Sequence, residues 1–493
     1  MMSDQIQNRV LSGLRWTVLA RSSMQLITWF ATLFVVRLLS PTDYGLVAMS
    51  TVVAFYLVMI GEMGLTAALV RRREIDLDAE RSIFGALLIA GSALFILSVA
   101  LAPLVARHFS EPRILPMIIL VSAQFLVLPF SVIPQARLSK ELRFAALGIA
   151  GVASALAGAT VTLLSAYLGY GAYALIFGNL ASVLVRAASI NFMSPFLHSP
   201  RLNPQSLKSL VAFSGFVLAD RTLWYWYSQF DTLIVGSWLG AALLGSYSVA
   251  KQLAAMPLER FGEVMNTVAL PAYAAVQHDM DRVRDTYVKT IRLSAIVTIP
   301  AFWGFGLVAS DLVEVVLGSR WHSAVPVLQW LCAMLPLRAI GSLASPAVTA
   351  IGRPGVSLKC MSVTTAIVVP ALAMGARWQI VGVAAAWTLS YPLAYLANAR
   401  LVGQCMKLPL GRVLAPLLKP TVCGLAMVGS VLALQSLIAA WKPVPVRLVC
   451  QVVSGALVYF AALWILARTD GLELLEFARR FFSRARPVGQ GLG

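Results

Sequence analysis

Eleven ionisable residues stand inside long apolar stretches of this chain: Arg21, Glu62, Arg186, Asp220, Arg221, Asp231, Lys251, Glu259, Arg260, Glu263 and Arg338. A charge in hydrocarbon costs several kcal/mol unless it faces protein or water, so each is a functional candidate by default. Arg21 and Arg221 stand out because they recur at an offset of 200 residues. A guanidinium near the inner leaflet can grip a diphosphate by paired hydrogen bonds. Snorkelling to the headgroups is the plainer reading of the same two arginines. Trp224-Tyr225-Trp226-Tyr227 follows Arg221 near the middle of its stretch, where aromatic faces with polar tips suit sugar rings or ordinary packing. We take Arg21, Arg221, Trp224 and Tyr225 as candidate substrate-binding residues. Asp231 and Lys251 lie at similar depth on either side of the turn at Gly240-Ala241, which suits a structural ion pair or ion coupling; Glu62 joins them as an acidic candidate.

The elements that position these residues follow from composition. The chain has 493 residues, of which 59% are hydrophobic and only 12% charged, with mean hydropathy +0.80. A bilayer span needs about 20 apolar residues, and such runs recur from end to end with short connections. Backbone groups in hydrocarbon must be paired internally, and these runs lack the alternation of barrel strands. The expectation is an all-α, polytopic membrane protein with about fourteen spans. It divides into an N-terminal lobe (1–197), a cytoplasmic connector (198–207), a C-terminal lobe (208–405), a terminal helix pair (406–467) and a basic amphipathic tail (468–493). Acidic residues early and basic residues late in that tail suit an interfacial helix.

The net charge of +18 reflects orientation rather than nucleic-acid binding. With the N-terminus in the cytoplasm, 26 of the 39 Lys and Arg are cytoplasmic, 7 external and 6 within spans. That asymmetry follows the positive-inside rule and puts both termini in the cytoplasm. Five scattered cysteines (Cys332, Cys360, Cys405, Cys423, Cys450) and four dispersed histidines (His108, His198, His278, His322) suggest neither a disulfide framework nor a metal site. No nucleophile–base constellation or nucleotide-binding motif is evident. No enzyme activity and no cofactor are expected, and the first apolar run is too long for a cleaved leader.

Internal repetition supports the two lobes. At the 200-residue offset Arg21 meets Arg221, Leu39 meets Leu239 and Gly45 meets Gly245. Each half opens with a long span, a tight external turn and a second span. Repeats with a site between them characterise secondary transporters.

Several stretches carry a family resemblance. These are Arg37-Leu38-Leu39-Ser40-Pro41-Thr42-Asp43-Tyr44-Gly45-Leu46, then Gly61, Gly64 and Ala67-Ala68-Leu69-Val70-Arg71-Arg72. Further on come Gln135-Ala136-Arg137-Leu138-Ser139-Lys140-Glu141-Leu142-Arg143-Phe144, Asp231…Val235-Gly236…Leu239-Gly240, and Leu244-Gly245…Tyr247-Ser248-Val249-Ala250-Lys251…Pro257. Together they resemble the Wzx/colanic-acid-exporter branch of the polysaccharide transporter family, within the multidrug/oligosaccharidyl-lipid/polysaccharide superfamily. The resemblance implies an inner-membrane flippase working by ion-coupled alternating access. Its substrate would be an undecaprenyl-diphosphate-linked oligosaccharide for exopolysaccharide, capsule or lipopolysaccharide O-antigen, and its partners a polymerase and export machinery. A peptidoglycan lipid-precursor flippase and a multidrug/cation antiporter share that fold. A polymerase or ligase would be expected to show a sizeable external loop, and a structural scaffold would not explain charge in both lobes.

Overall fold

The computed structural model describes residues 2–62, 77–196, 198–201, 215–438, 443–468 and 473. All regular structure among them is helical. Ten helical segments are long and apolar enough to cross a membrane, or eleven with the bent pair Ile114–Val127 and Pro129–Lys140 counted as one span. One of the ten, Gly355–Met406, contains two helices, Gly355–Gly375 and Gln379–Met406. Gly215–Leu239 and Ala241–Val276, which carry most of the intramembrane charge candidates, are not among the ten. The described residues are almost wholly helical, as expected, with ten or eleven span-length segments against the fourteen expected. The expected interfacial helix of the tail lies outside the described residues.

The chain divides into two compact units, Met1–Ser248 and Val249–Gly493. The boundary falls within the helix Ala241–Val276.

The first unit contains α1 (Met2–Leu38), α2 (Pro41–Glu62), α3 (Leu77–His108), a fourth span in pieces, α7 (Phe144–Tyr167), α8 (Tyr173–Met193), α9 (Gly215–Leu239) and the start of α10 (Ala241–Val276). The pieces are α4 (Ile114–Ser122), α5 (Gln124–Val127) and α6 (Pro129–Lys140). In membranes, helices associate through small residues that let backbones approach. Accordingly α7 meets α1 at Gly148 and Gly151, where an added Cβ would lie 2.8 Å from Ala20 Cβ and 2.6 Å from Met24 Sδ. It meets α8 at Gly158 and Gly178.

The broken fourth span follows from two prolines. Pro129 has no N–H to give the carbonyl of Phe125, and Pro134 has none for Phe130. The helix bends by 43° between Ile114–Val127 and Pro129–Lys140. Gly91 of α3 fills in beside the first freed carbonyl, so close that a Cβ there would be 2.4 Å from Phe125 O. Asn191 of α8 answers the second, its Nδ2 donating to Phe130 O at 2.6 Å.

The expected cytoplasmic end of this unit is clamped by charge. Arg137 donates to Glu80 through Nε at 2.9 Å and through Nη2, and its guanidinium lies 5.0 Å from the Phe196 ring centroid. Glu80 is buried, and its neighbour Asp78 pairs with Arg201 at 2.9 Å. Hydrogen bonds to charged groups contribute about 1.5–3 kcal/mol net. Glu80→Ala is therefore expected to destabilise the protein by about that amount. Thermal melting in detergent checks this; a melting temperature equal to that of the wild type would dismiss the clamp.

The second unit contains the rest of α10 and α11 (Met280–Leu307), α12 (Ala309–Val316), α13 (Ala324–Gly341), α14 (Ala344–Ala350), α15 (Gly355–Gly375), α16 (Gln379–Met406), α17 (Leu410–Ile438) and α18 (Val444–Leu466). Its fourth span, α13 and α14, stays in helical conformation through Ser342 and Leu343 and forms one stretch, Ala324–Ala350. The hairpin α15–α16 is joined through Gly375 and Gly382, where an added Cβ would fall 2.4 Å and 2.2 Å from the other's carbonyl oxygen.

Candidate functional site

The turn that separates α9 from α10 requires glycine. Gly240 has φ +83, a conformation that side chains with a Cβ rarely adopt. Around it, α9 and α10 pack against α2 and set the depth of the candidate residues in the first unit. Tyr225 is 6% exposed, and its hydroxyl donates to Val52 O in α2. Tyr56 of α2 completes the cluster, with ring centroids 5.4 Å from Tyr225 and 5.0 Å from Trp226. Its hydroxyl lies 3.4 Å from Thr222 Oγ1. The aromatic stretch therefore divides by helical direction. Tyr225 and Trp226 turn towards α2, whereas Trp224 is 53% exposed and available to a ligand. Tyr56 escaped the sequence reading because a single tyrosine in an apolar run has no distinguishing pattern.

Asp231 is 1% exposed yet well served. Tyr247 donates its hydroxyl to Asp231 Oδ2 at 2.7 Å, and the Thr232 N–H donates to Oδ1 at 2.7 Å. Tyr247 is fully buried, which makes this a polar contact sealed from solvent between the two arms of the hairpin. Lys251 stands one turn beyond Tyr247 on α10 and is half-buried. Residues four apart share a helix face.

Arg21 lies on α1, exposed, next to the buried Ala20 that faces α7. Arg221 is in α9 and Glu62 ends α2, but their side chains fall outside the described ones, as do those of Asp220 and Glu263. The structure thus gathers Tyr225, Asp231 and their partners around α2, α9 and α10, and shows Arg21 and Trp224 as exposed groups. Among the described residues no group of three or more His, Cys, Asp or Glu is placed to hold a metal ion.

Asp311 was not singled out in the sequence, being one acid at the end of a long apolar run. It is 4% exposed. Arg447 donates to Asp311 Oδ2 through Nε at 2.8 Å and to Oδ1 through Nη2, and Gln451 Nε2 adds a bond at 2.8 Å. Gln435 Nε2 extends the network to Gln451 Oε1 at 3.2 Å and to Leu307 O at 2.9 Å. This network joins the terminal helices α17 and α18 to the break between α11 and α12.

The helical, multi-pass architecture has counterparts among solved structures. It is similar to a lipid II flippase MurJ in an inward closed conformation, with TM-score 0.76 and 15% identity, over 92% of this chain and 99% of that one. An inward-facing multidrug resistance transporter of the MATE family, in the MOP superfamily, aligns with TM-score 0.53 and 15% identity, over 80% of this chain and 95% of that one. The chain shares its fold with these two proteins. Residues 34–326 match the model of a polysaccharide biosynthesis protein family, and the chain belongs to that family. The lipopolysaccharide biosynthesis protein WzxC of Escherichia coli K12 is 26% identical over 80% of each chain. The succinoglycan biosynthesis transport protein ExoT of Rhizobium meliloti is 23% identical over 97% of this chain and 98% of its own. A probable low-salt glycan biosynthesis flippase of Haloferax volcanii, Agl15, is 24% identical over 47% and 49%.

Proposed function

We propose that this protein is a flippase for lipid-linked oligosaccharides, carrying undecaprenyl-diphosphate-linked repeat units from the cytoplasmic to the periplasmic leaflet for exopolysaccharide, capsule or O-antigen assembly. The observation that carries this reading is the family match, together with relatives named for lipopolysaccharide and succinoglycan biosynthesis along most of the chain. The proposed orientation is the one the basic residues favour, with both termini cytoplasmic and the protein in the inner membrane. Polymerase and export machinery would act on the product.

Transport is driven by ion-coupled alternating access between the two proposed lobes. Arg21 and Arg221 hold the diphosphate, and the exposed face of Trp224 stacks on sugar. Tyr225 positions α9 against α2 instead of touching substrate, consistent with its buried hydroxyl bond. Asp231, Lys251 and Glu62 form the candidate coupling group, with Asp231 as its buried acceptor. No reaction at a covalent bond is assigned.

The test is a deletion strain complemented with variants, followed by surface polymer output and by the lipid-linked intermediates on each membrane face. Repeat units trapped on the cytoplasmic face establish the flippase. The double variant Arg21→Gln, Arg221→Gln is expected to lower export roughly a hundredfold or more, as loss of two charge-assisted contacts implies, at unchanged membrane abundance. Full export by that variant removes both arginines from the site. Normal polymer in the deletion strain together with sensitivity to toxic cations would favour the antiporter.

A further inference from the structure

Inside the first unit, beside the broken fourth span, lies a cavity of about 410 Å³. It is distinct from the Tyr56–Tyr225 cluster and from Asp231. Its apolar wall includes Leu87, Leu94, Val132 and Val183; its polar groups are Gln124, Ser131, Gln135 and Arg186. Backbone that departs from helix at membrane depth is tolerated where it is buried in protein or lines a cavity. Transporter binding sites are typically formed by discontinuous helices, and the fourth span of this unit is broken, bending by 43°.

Two features of the lining ask for a ligand. Gln124 is 5% exposed, and its Nε2 has no hydrogen-bond partner. A buried amide donor left unpaired costs about 1–3 kcal/mol. Arg186 forms no ion pair among the described residues; its Nη2 reaches only Gln135 Oε1, at 3.4 Å. Among the described residues the lining contains no carboxylate. Arg186 stands about 10 Å along α8 from Met193, at the end of the unit that also carries the Glu80–Arg137 clamp. An exposed positive charge at that depth, sharing a cavity with an apolar wall and an amide donor, is complementary to an anionic head on an apolar chain.

We propose that this cavity binds the phosphate of a membrane amphiphile, with Arg186 and Gln135 at the phosphate, the chain along Leu87, Leu94 and Val183, and Gln124 donating to a polar atom deeper in. The guanidinium offers paired N–H donors in a plane, which match phosphate oxygens. The shared chemistry has two sources, a glycerophospholipid headgroup or a polyprenyl phosphate. The site requires membrane placement but does not depend on the flippase reading.

The experiment uses the full-length protein, purified in detergent and stripped of lipid. Binding of phosphatidylglycerol, undecaprenyl phosphate and phosphate-free diacylglycerol is measured by native mass spectrometry and by the shift in melting temperature. Wild type is expected to bind both phosphate lipids and to ignore diacylglycerol. Arg186→Gln is expected to weaken phosphate-lipid binding at least roughly tenfold, Arg186→Lys less, and Gln124→Leu a few-fold, as charged and neutral hydrogen bonds imply. Preference for undecaprenyl phosphate identifies the carrier lipid as the source; equal binding identifies bulk phospholipid. Wild-type affinity in Arg186→Gln, or diacylglycerol bound as tightly as phosphatidylglycerol, overturns the proposal. Should Arg186→Gln fail to fold, unaltered binding in both Arg186→Lys and Gln124→Leu overturns it equally. Polymer output in the same variants is scored separately. Lost lipid binding with intact export leaves the transport reading standing, and retained binding in a strain without export separates the two the other way.

Discussion

Gly245→Leu is expected to be among the most damaging single substitutions in this protein. A Cβ at Gly245 would lie 1.6 Å from the carbonyl oxygen of Pro41 and 2.9 Å from Gly45 N. The contact is reciprocal, for a Cβ at Gly45 would lie 1.8 Å from Ala241 O. The obstructing atoms are backbone, so no rotamer change relieves the overlap, and α2 and α10 must separate where their N-terminal ends meet. Overpacking against side chains costs about 1–3 kcal/mol; a backbone overlap exceeds that range. Close approach also allows weak Cα–H···O contacts, which the separation forfeits. The expected outcome is a large fall in melting temperature, or loss of folded protein, with Gly245→Ala intermediate. Wild-type melting for Gly245→Leu would show that the crossing is absent in solution.

That crossing also shows how far sequence reasoning reached. The offset of 200 pairs Gly45 with Gly245 and Pro41 with Ala241, and the structure brings these four residues into one contact in which each glycine faces the other's helix start. The repeat was legible because turns and glycines punctuate an apolar chain whose other positions are nearly interchangeable. The break in the fourth span was implicit in Pro129 and Pro134, but its repair was not. Nothing local marks Asn191 as the donor for Phe130 O, since the two are 61 residues apart and meet only through packing. Tyr225 was visible as a member of an aromatic run; that it binds Val52 O while Trp224 stays exposed depends on helix rotation, which hydropathy cannot specify in an apolar span. Neither Arg447 nor Asp311 was singled out in the sequence. Each is ordinary alone, and only the fold pairs them across 136 residues.

This pair should dominate the stability of the second unit where α18 meets α12. Asp311 accepts from both Arg447 and Gln451, so its two oxygens are committed within a site where its carboxylate is almost fully enclosed. Removing one partner of a buried pair leaves the other uncompensated, at a cost of about 3–5 kcal/mol. Asp311→Ala is expected to fall in that range, since it strands Arg447 and orphans Gln451 Nε2 together. Arg447→Met should cost less, because Gln451 still serves the carboxylate and Arg447 retains 19% side-chain exposure from which water shares its charge. Replacing the pair by apolar residues of similar volume, Asp311→Leu with Arg447→Met, should recover much of the loss, since desolvation of two charges offsets most of their attraction. Melting of the two single variants and the double variant closes a thermodynamic cycle. A strongly favourable coupling means that α18 is held to α12 by this pair. Additive single effects, or an Asp311→Ala variant within about 1 kcal/mol of wild type, would mean that apolar contacts such as Tyr459 against Ile296 hold the terminal helices without it.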